Sequence, residues 1–281
     1  MSLVQKSKIR IAILNLYDGV ANQGMRCIRE ILNQFGDSNN VDITWDEYDV
    51  RQKKEVPDLA YDIFISSGGP GSPLDSEGSE WENVFFSWLH KVQKWNNNEA
   101  HVQKKYVFFI CHSFQLACRH YKVGNVCQRK STSFGVFPIH LLNDGKKEIV
   151  FEGMKDPFYA VDSRDYQVVE PRHNHLLEMG ASILAIEKER PHIQLERAIM
   201  AVRFNEYMIG TQFHPEADAV GMSMYLQTTE KKKMVIENHG EAKWASMIEQ
   251  LNDPDKIIFT YEHVLPNFLQ VAVQNLQPVE I

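Results

Sequence analysis

The feature that most restricts the fold of this chain is an alternation of short apolar runs with segments of helical period, in which two of the runs end on residues able to do chemistry. Ile9 to Leu16 alternates as a strand, and Asn22 to Phe35 places Met25, Ile28, Ile31, Leu32 and Phe35 at helical spacing. Val41 to Tyr48 reads as strand, and Ile63 to Ile65 is a short apolar strand entering a glycine-rich turn. Glu80 to Trp95 carries Trp81, Val84, Phe85, Trp88, Leu89 and Val92 on one helical face, and Tyr106 to Ile110 is apolar throughout. This order predicts an α/β fold, an open and mostly parallel sheet with helices on both faces. Phe134 to Ile139, Ile183 to Glu187, Ala198 to Phe204 and Tyr207 to Phe213 add further strands, some of them antiparallel.

In open sheets of this kind ligands bind beyond the C-terminal ends of the strands, so those ends are where chemistry is sought. Cys111 lies where the Tyr106 to Ile110 run gives way to the helix-compatible stretch His112 to Arg119. A thiol there meets unpaired backbone N–H groups and the positive end of the helix dipole, which favour the thiolate. For a lone cysteine the plainer reading is a small buried residue ending a strand. A second segment shifts that balance. Met208 to Phe213 ends on His214, with Glu216 two residues on, and in extended backbone positions i and i+2 face the same way. One ring nitrogen of His214 can then face Cys111 while Glu216 orients the other, the logic of a nucleophile, base and orienting acid. Third, Ser66-Ser67-Gly68-Gly69-Pro70-Gly71 lets backbone approach a ligand and point an N–H at it. Gly69 and His112 are the candidate donors for the negative charge that develops on a carbonyl oxygen under attack. As a phosphate-binding loop the turn lacks the Lys-Ser or Lys-Thr ending and the G-x-G-x-x-G spacing.

These three pieces, in this order, resemble the class I glutamine amidotransferase family, whose Cys, His and Glu sit on a G-x-C-x-G-x-Q elbow and a later Q-F-H-P-E strand end. Gln212 to Glu216 read Q-F-H-P-E, and Ser67 to Ser72 read S-G-G-P-G-S, close to the family's oxyanion loop. The resemblance spans residues 9 to 220, and among members the motifs are similar to the GMP synthase amidotransferase domain. It implies a flavodoxin-like sheet and catalytic roles for Cys111, His214 and Glu216. It also implies an oxyanion hole at Gly69 and His112, and substrate contacts from Gln115 and Ser163. Phe134-Gly135 echoes the family's F-G step. Three positions depart from the pattern: Phe109 and Ser113 replace the elbow glycines, and Arg164 follows Ser163 where members often carry histidine. Either the Phe109 ring enters a neighbouring gap or the elbow is reshaped. Arg164 offers a bidentate grip on a carboxylate, the alternative being a surface residue.

The implied activity is glutaminase-type amide hydrolysis through a thioester, releasing ammonia for an acceptor enzyme. No synthetase-type segment is recognisable after Glu216, so a synthetase subunit is expected on a separate chain. Two rivals share the fold: a γ-glutamyl peptide hydrolase or acyltransferase, and a non-catalytic regulatory module. The substrate is in the first two cases a small molecule. No cofactor is expected. The histidines of Arg172-His173-Asn174-His175 form the best metal candidate, but without a nearby cysteine or carboxylate they read better as loop histidines or surface residues, so no metal is expected.

Composition adds exclusions. With 281 residues and 43% hydrophobic content the chain can bury one large core. A formal charge of -7 and the absence of any basic stripe beyond Lys231-Lys232-Lys233 argue against nucleic acid. Met1 to Lys8 lacks an apolar stretch and no run approaches a membrane span, so a cytoplasmic enzyme is expected. Cys27, Cys111, Cys118 and Cys127 form no disulfide framework. The tail reads as helices over Ala217 to Val235, Glu241 to Leu251 and Asp255 to Gln274, with Asp253-Pro254 as a turn. The expected division is an amidotransferase-like domain over 1–225 and a helical extension over 226–281 packed on it. Closing an exposed sheet face is the first use for the extension, a homodimer surface or a docking site the others.

Overall fold

The computed structural model describes residues 8–191, 194–251 and 253–276. The alternation of apolar runs translates into a nine-stranded mixed sheet. Its parallel half comprises β1 (Lys8–Asn15), β2 (Asp42–Asp49), β3 (Ile63–Ser66), β4 (Tyr106–Ile110) and β9 (Met208–Thr211). The remaining strands, β5 (Asn125–Leu141), β6 (Phe158–Val169), β7 (Ser182–Glu187) and β8 (Ile199–Asn205), continue it in antiparallel fashion, and the order across the sheet is β2-β1-β3-β4-β9-β8-β7-β5-β6.

Alternation along the central strands divides the core in two. Ile11, Ile13, Phe108 and Ile110 face α1 (Gly24–Asn39) and α8 (Phe259–Leu276), whereas Ala12, Leu14, Val107 and Phe109 face α2 (Glu80–Asn97) and α3 (His112–His120). Strands buried on both faces read as continuous apolar runs, which is why β3 and β4 are legible in sequence. The last helix belongs to this core: Val264, Leu265, Phe268 and Leu269 pack against the sheet, with the Phe268 ring edge-on to Phe108 at 5.1 Å. The segment expected as a single helix from Ala217 to Val235 is two, α5 (Ala219–Leu226) and α6 (Thr229–His239). Each has its own cap, Asp218 accepting from the Gly221 amide and Thr228 from the Lys231 amide. With α7 (Glu241–Leu251) they enclose a separate small core around Val136, Val161, Leu226, Val235 and Met247.

Two elements depart from the sequence reading. His173 and His175 open a short helix, α4 (His173–Met179), and the His175 ring bonds the Tyr121 carbonyl at 2.9 Å; neither residue lines the cleft described below. Strand β6 has no counterpart among the expected strands, because Asp162, Arg164 and Asp165 interrupt its apolar pattern. Asp162 and Arg164 are nevertheless buried, within an ion-pair cluster. The N-terminal stretch Met1 to Ser7 lies outside the described residues. Among the described residues, no helix is long and apolar enough to cross a membrane.

Phe109 is accommodated by a glycine on the neighbouring strand and by an aromatic neighbour for its ring. Its parallel partner on β9 is Gly210, and a Cβ on Gly210 would lie 3.0 Å from the Phe109 Cβ, the Phe109 carbonyl oxygen and the Phe114 ring. The ring packs edge-on to Phe204 at 5.7 Å, on the α3 side of the sheet. Gly210→Val is expected to overpack this site and lower the free energy of unfolding by about 1–3 kcal/mol. Urea denaturation checks it; an unchanged midpoint would show that the packing of Phe109 and Phe114 does not depend on that space.

Candidate active site

Three neighbouring parallel strands, β3, β4 and β9, end on the same edge of the sheet, and each delivers one part of the site. The central one delivers Cys111, whose backbone is in an unusual conformation for a residue with a side chain, φ 47° and ψ -97°. Such a conformation costs on the order of 1–3 kcal/mol and persists only where surrounding bonds over-determine it. Here the Cys111 amide donates to the Thr211 carbonyl at 2.8 Å, and its carbonyl accepts from the Gln115 amide at 3.0 Å. Ser113 adds two ties: its hydroxyl accepts from the Ile110 amide at 2.9 Å and donates to the Ser66 carbonyl at 2.8 Å. The serine that replaces an elbow glycine therefore links the turn to the adjacent strand β3.

Beyond β9, the His214 amide donates to the Val161 carbonyl of β6 at 2.9 Å, which fixes the histidine backbone across the site. Nδ1 of His214 lies 2.8 Å from Oε1 of Glu216, a carboxylate only 1% exposed. Burial disfavours the imidazolium, but the Glu216 carboxylate and then the Cys111 sulfur outweigh it and raise the His214 pKa well above its ordinary 6.5. A Cβ on Gly68 would lie 3.0 Å from Cε1 of His214 and 3.7 Å from Cβ of Cys111, so the glycine turn after β3 closes on both residues. Gly69 packs against the preceding loop so closely that a Cβ would come within 2.3 Å of the Leu16 carbonyl oxygen. His112 begins α3, and its amide is one of the first-turn donors that no helical carbonyl can satisfy. Its ring is buried, with a pKa pushed down to about 3 by burial and by Arg51 and Arg119, so it is neutral.

Residues 19–227 match the sequence profile of the family described as glutamine amidotransferase class-I. The chain belongs to that family. Among curated proteins none matches it in sequence. Solved structures resemble it at low identity. A glutamine amidotransferase from Thermotoga maritima superposes with a TM-score of 0.67 at 14% identity, covering 95% of this chain and 98% of that one. A glutamine amidotransferase from Methylobacillus flagellatus gives 0.63 at 14% identity, with 99% and 98% covered. The glutaminase domain of Trypanosoma brucei CTPS, solved with bound acivicin, gives 0.54 at 16% identity, with 74% and 86% covered. These likenesses establish the amidotransferase fold.

In this amidotransferase the remaining sequence candidates meet different fates. Gln115 lies on the cleft wall, but its side-chain amide donates to the Tyr166 carbonyl at 3.2 Å and to Oε1 of Gln212 at 3.0 Å. Gln212 in turn directs its Nε2 at the Cys111 sulfur, 3.6 Å away. Ser163 presents its backbone carbonyl to that sulfur at 3.8 Å. Arg164 is neither a surface residue nor an open carboxylate grip. Its guanidinium, 1% exposed, is paired with Asp162 at 2.8 Å and with Glu187 at 3.3 Å, and Arg129 and Arg190 reach the same Glu187. Asp162 and Arg164 flank Ser163, so this cluster anchors the strand that faces the thiol.

Sequence reasoning missed Tyr17. Its hydroxyl lies 3.3 Å from where a Cβ on Gly68 would stand and 2.3 Å from that of Gly24, a point itself 3.2 Å from Oε1 of Glu216. Burial, then the charges of Glu216 and Cys111, raise the phenol pKa well above its usual value, so it stays protonated beside the histidine and glutamate. Nothing about a lone tyrosine after β1 signals this; only the paired glycines at 24 and 68 hint at something large between them. Among the described residues, no group of three or more histidine, cysteine or acidic side chains is arranged to hold a metal ion.

The sign of the His214 shift gives a test. A raised folded-state pKa contributes stability that is full below about 6.5 and is lost as pH rises through the raised value. Glu216→Gln removes the largest charge-stabilising partner and leaves burial, so His214 should titrate at lower pH in the variant. Ring 15N shifts of labelled histidine read this directly; an unmoved midpoint would mean the carboxylate does not set the imidazole's charge.

Proposed function

We propose that this amidotransferase cleaves γ-glutamyl amides through Cys111, with L-glutamine as the simplest substrate and ammonia then passing to an acceptor enzyme on another chain. The observation that carries this reading is the convergence, at the ends of β3, β4 and β9, of a thiol, an imidazole held by a buried carboxylate, and a glycine turn in contact with both. In this mechanism the Cys111 sulfur attacks the amide carbon. The charge that develops on oxygen is met by the Gly69 and His112 amides, donors of a kind worth about 10²–10³ in rate each. His214, cationic beside Glu216, protonates the departing nitrogen, and the C–N bond breaks to leave a γ-glutamyl thioester. Water hydrolyses that thioester with His214 as base, giving glutamate and the free thiol. Glu216 holds the ring orientation throughout.

Gln115 acts indirectly in this scheme, holding Gln212 against the sulfur, and Ser163 supplies the backbone beside which the substrate lies. The buried pairing of Arg164 with Asp162 and Glu187 leaves its guanidinium a positioning role, keeping β6 in place. The feature that favours a non-catalytic module is Phe109, and its ring packs against Phe204 without forming part of the cleft lining.

Cys111→Ala should abolish glutamate release from L-glutamine and from a chromogenic γ-glutamyl anilide, and His214→Ala should lower kcat by at least about 10³-fold. Coupled glutamate assay on the purified protein measures both. An undiminished rate in Cys111→Ala would sink the assignment.

A further inference from the structure

The turn after β3 that carries Gly69 has little stiffness of its own. Glycine stands at 68, 69 and 71, and Gly71 takes a φ of 89°. A peptide unit between two glycines can turn over without side-chain resistance, and in doing so it replaces the N–H that faces a ligand with a carbonyl oxygen. A site that stabilises a developing oxyanion fails in the turned-over state, because the carbonyl repels the charge that the N–H attracts. Whatever fixes the Gly68–Gly69 peptide therefore fixes the polarity of this wall.

Two side chains behind the wall, neither of them lining the cleft, hold the turn. Ser67 is fully buried, and its hydroxyl donates to the Gly68 carbonyl at 2.8 Å while its oxygen accepts from the Leu16 amide at 2.9 Å. The Gly68 carbonyl is thereby held toward a buried group. The Gly68–Gly69 peptide is trans, so the Gly69 N–H points the opposite way. Gly69 lines the cleft, and among the described residues no acceptor bonds its amide. Arg51, in the turn after β2, holds the far side. Its Nη1 donates to the Pro70 carbonyl at 2.7 Å and to the Leu16 carbonyl at 3.4 Å, and its Nη2 pairs with Asp18 at 3.4 Å. The guanidinium carbon also lies 5.2 Å from the centre of the Trp81 ring. Leu16 is the common anchor, bonded to Ser67 through its amide and to Arg51 through its carbonyl.

We infer that Ser67 and Arg51 are positioning residues for the oxyanion donor, which lock the turn with the Gly69 N–H directed into the cleft. The inference rests on the Cys111 reading given above. Neither side chain touches substrate. What they set is the direction of a donor that acts on charge present only in the transition state, so their loss should appear in kcat and leave KM in place.

The test measures glutamate release from L-glutamine by the purified full chain, wild type and variants. Ser67→Ala should lower kcat about tenfold, short of the 10²–10³-fold that loss of a whole donor costs, with KM within about twofold of wild type. Arg51→Met should act in the same direction, and Arg51→Lys should recover most of its loss. The second readout is the rate at which iodoacetamide alkylates Cys111, followed at that residue by peptide mass spectrometry. Alkylation at a saturated carbon places no charge on an oxygen at Gly69, so its rate and pH profile should match wild type in every variant. Thermal midpoints establish that each variant is folded, and Arg51→Met carries the test if Ser67→Ala is not. An unchanged kcat in the folded variants, a loss confined to KM, or a fall in kcat matched by an equal fall in Cys111 alkylation overturns the lock alone. Wild type without Cys111-dependent glutamate release overturns the Cys111 reading and this inference with it.

Discussion

Everything at the site depends on β3, β4 and β9 being adjacent and parallel. Their register is continuous, Ser66 beside Phe109 and Phe109 beside Gly210, so three chain segments far apart in sequence end at one level. The crossover helix α2 returns β4 to the starting edge of β3, and β9 reaches the same direction as the second strand of a hairpin with β8. The turn at Cys111 then follows from its neighbours: its amide is bonded to β9, and the Ser113 hydroxyl bridges the turn to β3. Strain at one residue is offset by ties to both flanking strands, which is the condition under which an unusual backbone conformation survives.

The departures from the family's elbow pattern have physical counterparts elsewhere in the molecule. Phe109 brings a large ring where a glycine is usual; Gly210 on the adjacent strand leaves room for its Cβ and for the Phe114 ring, and the Phe109 ring itself packs on Phe204. Ser113 brings a hydroxyl, and that hydroxyl satisfies one buried amide and one buried carbonyl that glycine would leave to other partners. Such exchanges keep the packing density of the core while preserving the direction in which the thiol points.

Behind the site, β6 has apolar ends buried in the core, Phe158 to Val161 and Val168-Val169, and a middle held by charges. Asp162, Arg164, Arg129, Arg190 and Glu187 form a cluster with both signs represented, and its strand meets His214 through Val161 and Cys111 through Ser163. Removing one member of such a buried set costs more than the set contributes, because the partner is left charged and unpaired. The cluster therefore fixes a strand whose backbone, more than its side chains, faces the reacting groups.

The sequence by itself determined the α/β class and the central strands of the parallel half, because strands buried on both faces must be apolar along most of their length; the edge strand β2 is legible from Val41, Ile43 and Trp45 at alternate positions. It also determined which residues are chemically competent: a cysteine at a strand-to-helix junction, His214 with Glu216 at i+2, and glycines able to bring backbone close. Tertiary structure decided what periodicity cannot encode. It decided that Arg164 turns inward, since a buried charge depends on partners such as Glu187, distant in sequence. It decided that Tyr17 stands beside Glu216, that the Phe109 ring packs on Phe204, and that the tail divides into α5 and α6 to wall the cleft with Tyr225 and Lys231. Each of these depends on pairings between residues tens to hundreds of positions apart, which local pattern does not specify.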